Sequence, residues 1–398
     1  MNGAYKILSL DGGGSWALIQ VKALQDLYGE NIGGHEVLRR FDLVAATSGG
    51  SIVAGMLATG VPLSKIVAFF KDEAARKKIF VRLCGIQILP KIFHIGPKYS
   101  TPAKFEGLKN LLGEAGSRVM EDLPGYVSGR TAKPDFLITS FGYDRERVVY
   151  FRSDLKSRTS SFPPKGSPQK HYTLAEAIHA SSTPPVNYFK EPAEFNGNRY
   201  WDGGVSGNNN PVLSAVVEAV SNGHSPNSIR VLSIGTGLVF LPTEGPAAAA
   251  GLLMSRVKPS LIADIQKLAT TILDDPPDAA SFISHVMLGQ RLPKDDKDFV
   301  RDTSLVRMNP LVQPVLSNGK WLVPWGSGAK ELKQFTSLKT LGLDAIENDE
   351  IRLIDDFCDR WTHGSVVNQS IRARSDLSCE IGHGSYQDAK SHWQALDT

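Results

Sequence analysis

The chain has 398 residues, of which 41% are hydrophobic and 21% charged, and its formal net charge is +3. This composition supports a large buried core and argues against binding of bulk nucleic acid through overall charge. The sequence lacks a run of about eighteen apolar residues and a basic start followed by an apolar stretch, so we expect a cytoplasmic protein that neither spans a membrane nor is secreted.

The first predicted strand, Tyr5–Leu10, leads directly into Asp11 and then into three glycines, Gly12, Gly13 and Gly14. Residues 16–28 have helical periodicity. Consecutive glycines allow neighbouring N–H groups to converge on one anion, as an oxyanion hole requires. A second interpretation stays open, because Gly-x-Gly-x-x-Ala over residues 12–17 also fits the phosphate loop of a dinucleotide-dependent enzyme.

The second predicted strand, Phe41–Thr47, is followed by Ser48 and by a predicted helix over residues 51–59. A serine on a sharp strand-to-helix turn is typical of a nucleophile elbow, which needs small residues two positions to either side. Ala46 and Gly50 meet this need. An ordinary serine at a helix N-cap would use the same residue types, so this segment alone leaves both interpretations open.

Further along the chain, Asp202 precedes two glycines, Gly203 and Gly204, in a polar, turn-rich segment. A carboxylate on such a turn can accept the hydroxyl proton of Ser48 as a general base. The alternative is an Asx turn that caps the next segment. His179 offers a different base, in a Ser-His-Asp triad, although its helical context favours a packing role.

Three more strands are predicted at Asp135–Phe141, Val148–Phe151 and Arg230–Ile234. The alternation of strands and helices predicts an α/β fold with a largely parallel central sheet flanked by helices. From Gly326 onward the pattern becomes helical. We therefore expect a main domain over residues 1–325 and a helical C-terminal extension over residues 326–398 that packs on it.

Taken in order, the Asp-Gly-Gly-Gly, Ser-Gly-Gly and Asp-Gly-Gly motifs resemble the signature blocks of the patatin-like phospholipases. Two further segments, His179–Phe189 and Ser233–Gly237, are similar to family segments, so the resemblance covers about residues 5–310. The sequence departs from the family pattern at Ala46, where glycine is usual, and at residues 15–17, where many members carry Arg-Gly.

The resemblance implies a patatin-like acyl hydrolase domain that cleaves fatty-acyl esters of membrane phospholipids at the bilayer surface. It implies a Ser48/Asp202 catalytic dyad and an oxyanion hole from the three glycine amides, with motif support from Gly49, Gly50, Gly203 and Gly204. No cofactor is implied, and the cysteines and histidines lack metal-ligand spacing. The alternative is a catalytically silent lipid- or nucleotide-binding module of the same fold.

Some bacterial patatin-like phospholipases are defence effectors activated by cyclic oligonucleotides. The resemblance therefore also implies a candidate cyclic-nucleotide activator and homo-oligomerisation. Candidate phosphate contacts in the extension are Arg352, Arg360, Arg372 and Arg374, although solvated surface arginines would show the same pattern.

Two further segments are candidates for contact with substrate. Residues 76–98 mix cations with apolar residues, including Phe80, Leu83, Ile86, Leu89 and Phe93. This composition fits peripheral binding to the inner membrane face, or else a core-packed excursion with a basic rim. Residues 246–259, bounded by Pro246 and Pro259, fit either a mobile cap over the site or a buried helix.

Overall fold

The computed structural model describes residues 3–83, 97–129, 133–156, 171–186, 188–255, 258–260 and 276–397. In chain order, the strands are β1 (Tyr5–Leu10), β2 (Leu43–Ala46), β3 (Asp135–Gly142), β4 (Arg147–Arg152), β5 (Ala193–Phe195), β6 (Asn198–Asp202), β7 (Ile229–Ile234), β8 (Leu238–Val239), β9 (Leu305–Met308), β10 (Leu311–Val312), β11 (Val315–Ser317), β12 (Lys320–Leu322), β13 (Arg372–Ala373) and β14 (Cys379–Ile381).

The α-helices are α1 (Leu18–Tyr28), α2 (Gly34–Leu38), α3 (Ser48–Ala58), α4 (Leu63–Lys71), α5 (Glu73–Ile79), α6 (Thr101–Ser117), α7 (Leu123–Ser128), α8 (Leu174–Ser181), α9 (Val212–Ser221), α10 (residues 276–287), α11 (Ala329–Thr340), α12 (Asn348–Thr362) and α13 (Tyr386–Leu396). The five strands predicted from the sequence correspond to β1, β2, β3, β4 and β7.

The central sheet has eight strands in the order β5-β6-β3-β2-β1-β7-β9, and β4 pairs with β3 outside this path. Strands β3, β2, β1, β7 and β9 are parallel, whereas β4 and β6 run antiparallel to β3. The prediction of a largely parallel sheet is therefore confirmed. Because Leu10 at the end of β1 pairs with Ala46 at the end of β2, the glycine loop and the Ser48 turn leave the sheet side by side.

Helices cover both faces of this sheet. Side chains alternate along the strands, so that Leu8 and Val44 enter one core while Ile7 and Leu43 enter the other. The first core is closed by α1, α3, α8 and α12, and the second is closed by α9. Strands that are buried on both faces explain the continuous apolar runs in the sequence.

Small residues and a helix cap determine how α3 and α8 pack against each other. At the start of α8, Thr173 and Glu176 form a capping box in which each side chain accepts the other's backbone N–H. A Cβ atom at Gly55 of α3 would lie 2.4 Å from Ile178 Cδ1 of α8. The glycine therefore lets the two helices approach closely, which places the end of α8 beside Ser48.

The C-terminal extension packs into the same core as the sheet. Trp393 of α13 stacks on Phe41 with a centroid distance of 6.0 Å, and its Nε1 donates to the Tyr28 hydroxyl at 2.8 Å. Trp361 and Tyr386 are fully buried in this core as well. The division at residue 325 stays a prediction.

No helix in the described ranges combines the length and the apolar character needed to cross a bilayer.

Most of the candidate membrane-contact segment, residues 84–96 with Ile86, Leu89 and Phe93, lies outside the described residues. At its start, Arg76 is buried and donates to the backbone carbonyls of Phe70 and Ile346. The Arg76 side chain therefore binds groups inside the protein.

Candidate active site

Ser48 occupies a strained turn between β2 and α3. Its φ of 48° lies in the left-handed region, which costs a non-glycine residue about 1–3 kcal/mol. The two following glycines permit the turn, because a Cβ at Gly49 would lie 2.6 Å from Gly14 O and one at Gly50 would lie 2.5 Å from Leu10 O. This geometry matches the predicted elbow. The N–H groups of Gly49 and Gly50, in the first turn of α3, have no acceptor within the helix.

The structure brings Ser48 together with Asp202, which is 154 residues away in sequence and lies at the end of β6. Ser48 Oγ donates to Asp202 Oδ2 at 2.6 Å, and the N–H of Gly204 donates to Asp202 Oδ1 at 2.8 Å. Both side chains are buried. A hydroxyl paired directly with a buried carboxylate is the arrangement that general-base activation needs.

Burial raises the pKa of Asp202 to about 6, while its hydrogen bonds from Ser48 and Gly204 and the positive charge of Lys104 act in the opposite direction. A carboxylate with a raised pKa is a stronger base than an ordinary aspartate.

His179 does not stand between these two side chains. It lies in α8, is buried, and stacks on Phe105 with a centroid distance of 4.7 Å. Burial and the charge of Lys104 lower its pKa well below the usual value, so the ring is neutral. These contacts match the packing role that its helical context predicts, and they give no support to a triad.

The glycine loop after β1 packs against Ser48 and is fixed by polar contacts from distant segments. The N–H of Gly12 donates to the Asn209 carbonyl at 2.8 Å, and Thr236 Oγ1 donates to the Gly12 carbonyl at 2.5 Å. Among the described residues, the N–H groups of Gly13 and Gly14 have no acceptor. The free amides of the loop are therefore those of Gly13 and Gly14, whereas the amide of Gly12 is already engaged.

Asp11 anchors this loop through an ion pair that the sequence did not reveal. Arg307 Nη2 of β9 donates to Asp11 Oδ2 at 2.6 Å, and Arg307 Nη1 donates to Ser233 Oγ at 2.9 Å. Both members of the ion pair are buried, and burial raises the pKa of Asp11 while Arg307 lowers it. Arg307 lies 296 residues after Asp11, so no local pattern could have identified it.

A cavity of about 20 Å³ lies over Ser48. Its lining comprises Gly14, Ser48, Gly49, Ile52, Ile79, Phe80, Lys104, Ser182, Pro184, Tyr188 and Leu343. Binding sites for drug-sized ligands usually enclose about 300–1,000 Å³. The cavity is therefore closed to a phospholipid in this conformation, although its walls are largely apolar.

The cover over this cavity comes from the C-terminal extension, between α11 and α12. We call residues 342–346 the cover segment. The Leu343 carbonyl accepts the Ser15 N–H at 3.0 Å, and the Gly342 carbonyl accepts Trp16 Nε1 at 3.1 Å. Asp344 Oδ2 accepts the Tyr99 hydroxyl at 2.7 Å. The cover segment thus binds the loop that carries the free amides.

The predicted cap over residues 246–259 is not found at this position. None of its described residues lines the cavity, and residues 256–257 lie outside the described residues.

The four candidate phosphate-binding arginines each have a partner within the protein. Arg352 pairs with Asp349, Arg360 lies over Trp325, Arg372 pairs with Glu380 and Arg374 lies over Phe299.

A largely parallel sheet brings a serine elbow, a carboxylate partner and a glycine loop together at the ends of β2, β6 and β1, and this arrangement is typical of a serine hydrolase. Residues 8–216 match the protein family described as patatin-like phospholipase, and this range includes Ser48 and Asp202. The match covers more than half of the chain. The chain belongs to the patatin-like phospholipase family.

Two curated relatives and one solved structure are similar to the chain. A cGAMP-activated phospholipase of Pseudomonas aeruginosa is 29% identical over 130 residues, which are 32% of this chain and 38% of the relative. A cUMP-AMP-activated phospholipase of Escherichia coli is 26% identical over 248 residues, 60% of this chain and 67% of the relative. VipD of Legionella pneumophila is 10% identical with a TM-score of 0.36, over 89% of this chain and 67% of VipD. The chain thus spans well under half of the first relative.

Proposed function

We propose that the protein is a lipid acyl hydrolase that cleaves fatty-acyl esters of membrane glycerophospholipids with Ser48 as nucleophile and Asp202 as general base. The 2.6 Å hydrogen bond between Ser48 Oγ and Asp202 Oδ2, on a strained elbow, is the observation that carries this proposal. Membership of the patatin-like phospholipase family supports the substrate class. No metal or cofactor takes part in the proposed chemistry.

In the proposed reaction, Asp202 accepts the Ser48 proton as Oγ attacks the ester carbonyl. The amides of Gly13 and Gly14 stabilise the tetrahedral oxyanion, and the orphan N–H of Gly49 at the start of α3 adds a third donor. When the intermediate collapses, protonated Asp202 returns its proton to the departing lysophospholipid alkoxide. Water then hydrolyses the acyl-serine with Asp202 again as base, releasing the fatty acid.

The closed cavity supports a regulated enzyme. The two curated relatives are named for activation by cGAMP and by cUMP-AMP. We therefore extend the proposal to activation of this protein by a cyclic oligonucleotide that displaces the cover segment and admits a lipid at the inner membrane face, with oligomerisation as one route. A bacterial defence role would follow from that control.

Fatty-acid release from phosphatidylcholine–phosphatidylglycerol vesicles tests the proposed function, with and without a panel of cyclic di- and trinucleotides. Wild type should release fatty acid, most strongly with one activator, while Ser48→Ala should release none. Ser117→Ala is the matched control, because this exposed hydroxyl at the end of α6 donates to the Glu114 carbonyl and has no other hydrogen-bond partner in the described part of the chain. Absence of release under every condition would favour the silent binding module.

A further inference from the structure

Lys104 of α6 is a buried lysine in the wall of the cavity that contains Ser48. Only 1% of its surface is exposed. Lysine is almost never fully buried unless its charge is compensated, because transfer of an ammonium out of water is very costly. The surroundings of its Nζ atom must therefore offset that cost.

Three oxygen atoms surround Nζ. It donates to the carbonyl oxygens of His179 at 3.2 Å and of Ser182, and to Thr183 Oγ1 at 2.8 Å. These acceptors match the three N–H bonds of an ammonium, whereas a neutral amine has only two. Nζ also lies 4.9 Å from the centroid of the Phe189 ring, which favours the cation. Burial lowers the pKa of Lys104 well below its usual value, while the negative charge of Asp202 acts in the opposite direction. The hydrogen bonds and the ring contact favour the charged form as well.

The turn that Lys104 holds also contacts both members of the proposed dyad. Ser181 Oγ accepts the backbone N–H of Ser48 at 2.9 Å. Two residues later, the carbonyl of Thr183 accepts the backbone N–H of Asp202 at 2.9 Å. Residues 181–183, at the end of α8, therefore set the relative position of the serine and the carboxylate, and Lys104 fixes these residues from the other side.

Lys104 is also an electrostatic partner of Asp202, since its charge lowers the pKa of that carboxyl against the effect of burial. Two other titratable groups near this pair, His179 and Tyr188, are uncharged at neutral pH. Burial and Lys104 keep His179 neutral, and burial raises the pKa of the Tyr188 hydroxyl. Among the described residues, Lys104 is the charged group that acts on the Asp202 carboxyl, and a cation close to a buried carboxylate favours its ionised, basic form.

We propose that Lys104 is a positioning residue for the reaction, which fixes the turn at residues 181–183 and holds Asp202 in its ionised form. It does not bind the lipid phosphate, because its three N–H bonds are already engaged by protein acceptors. The inference rests on the proposed function, since it assigns a role to Lys104 only if Asp202 acts as the base.

The pH dependence of Ser48 labelling by a small ethyl fluorophosphonate tests this role, because labelling requires activated Ser48 but no lipid. Lys104→Met removes the charge at similar length. We expect the maximal labelling rate of this variant to fall at least tenfold. On the acid side of its pH–rate profile, the midpoint of the fall in rate should lie at least half a pH unit higher than in wild type. Lys109→Met is the matched control, because Lys109 lies on the same helix but is exposed and pairs with Glu106. This control should keep the wild-type profile.

Lys104→Gln separates the two parts of the role, since it keeps two N–H donors without the charge. It should show the same shift in pH with a smaller loss of maximal rate. A folded Lys104→Met or Lys104→Gln with the wild-type acidic limb would overturn the inference. So would failure of both variants to fold while Lys109→Met folds, because Lys104 would then be purely structural. Wild type that is not labelled at any pH, even with the panel of cyclic di- and trinucleotides present, would instead contradict the proposed function itself.

Discussion

The carboxylate of Asp202 is subject to two opposing influences. Burial raises its pKa to about 6, whereas hydrogen bonds from Ser48 and Gly204 and the charge of Lys104 favour the anion. The balance gives a base that is stronger than an exposed aspartate yet ionised at neutral pH. The proposed base and its hydroxyl are also shielded from water, which strengthens the interaction between them.

The pH–rate profile should reflect this pKa. If Asp202 must be ionised to accept the Ser48 proton, kcat/KM for a soluble ester falls as pH decreases through about 6, by about tenfold for each unit below. Measurement of initial rates between pH 4 and 9 on the folded protein checks this. Activity that stays level down to pH 4.5 would show that an ordinary, exposed carboxylate or another group is the base.

Replacement of the proposed base should separate it from the nearby imidazole. Asp202→Asn keeps the shape of the side chain but cannot accept the proton, so we expect kcat to fall by about 10²–10⁴. His179→Leu should retain kcat within about threefold, because the ring packs on Phe105 and its backbone carbonyl is retained. Steady-state kinetics on both variants test the ranking, and the reverse order would establish a triad.

The sequence predicted the residues whose role depends on neighbours in the chain. Ser48, Asp202 and the glycine loop stand at strand ends with the small residues that their turns require. The sequence did not predict Arg307 or Lys104, because their partners are far away along the chain and buried cations have no local signature. The glycine motif also predicted the Gly12 amide as an oxyanion donor, because nothing local reveals that this N–H donates to the Asn209 carbonyl.

Among the elements, the cover segment binds the residues directly after the glycine loop that carries the proposed oxyanion donors. A Cβ at Gly14 would lie 2.2 Å from the Leu343 carbonyl, so the cover segment approaches the loop as closely as glycine permits. The same segment is also bound to the residues that precede α6, because Asp344 accepts hydrogen bonds from Tyr99 and Lys98. Displacement of residues 342–346 would therefore open the cavity and also break the hydrogen bond between the Ser15 N–H and the Leu343 carbonyl.

Loss of the Asp344 contacts should raise basal activity. Each of the two hydrogen bonds stabilises the closed form by about 1 kcal/mol, so Asp344→Ala should increase the open population, and activity without a nucleotide, about thirtyfold. Asp349→Ala is the control, because this exposed residue at the start of α12 pairs with Arg352 and does not contact the cover segment in the described structure. Fatty-acid release from vesicles measures the effect. Equal basal rates in the two variants would show that the cover segment does not limit access.

At the scale of the molecule, the C-terminal extension is part of the main core. Trp361, Tyr386 and Trp393 are buried in the core that also contains Leu8 and Val44 of the sheet. The extension also reaches the site through Gln369, whose Oε1 accepts from Nε of Arg307, the β9 residue that pairs with Asp11 before the glycine loop. These contacts indicate that the extension stabilises the site as well as covering it.

Thermal unfolding tests this dependence. Trp393→Ala removes a stacked, fully buried ring, which should cost about 3–5 kcal/mol and lower Tm in a single transition. Gln394→Ala, at the adjacent exposed position of α13, should leave Tm nearly unchanged. Calorimetry on both variants provides the measurement. An early, separate transition in Trp393→Ala, with the remainder of the protein unfolding at the wild-type temperature, would indicate an autonomous extension.

Mass spectrometry of the labelled protein shows whether Ser48 is the nucleophile of an acyl hydrolase. After incubation of folded wild type with ethyl fluorophosphonate, peptide mapping should locate one stoichiometric phosphonyl adduct on Ser48. Asp202→Asn should label far more slowly, and Ser48→Ala should not label at all. An adduct on another residue, or a folded wild type that stays unlabelled while retaining lipase activity, would contradict the account.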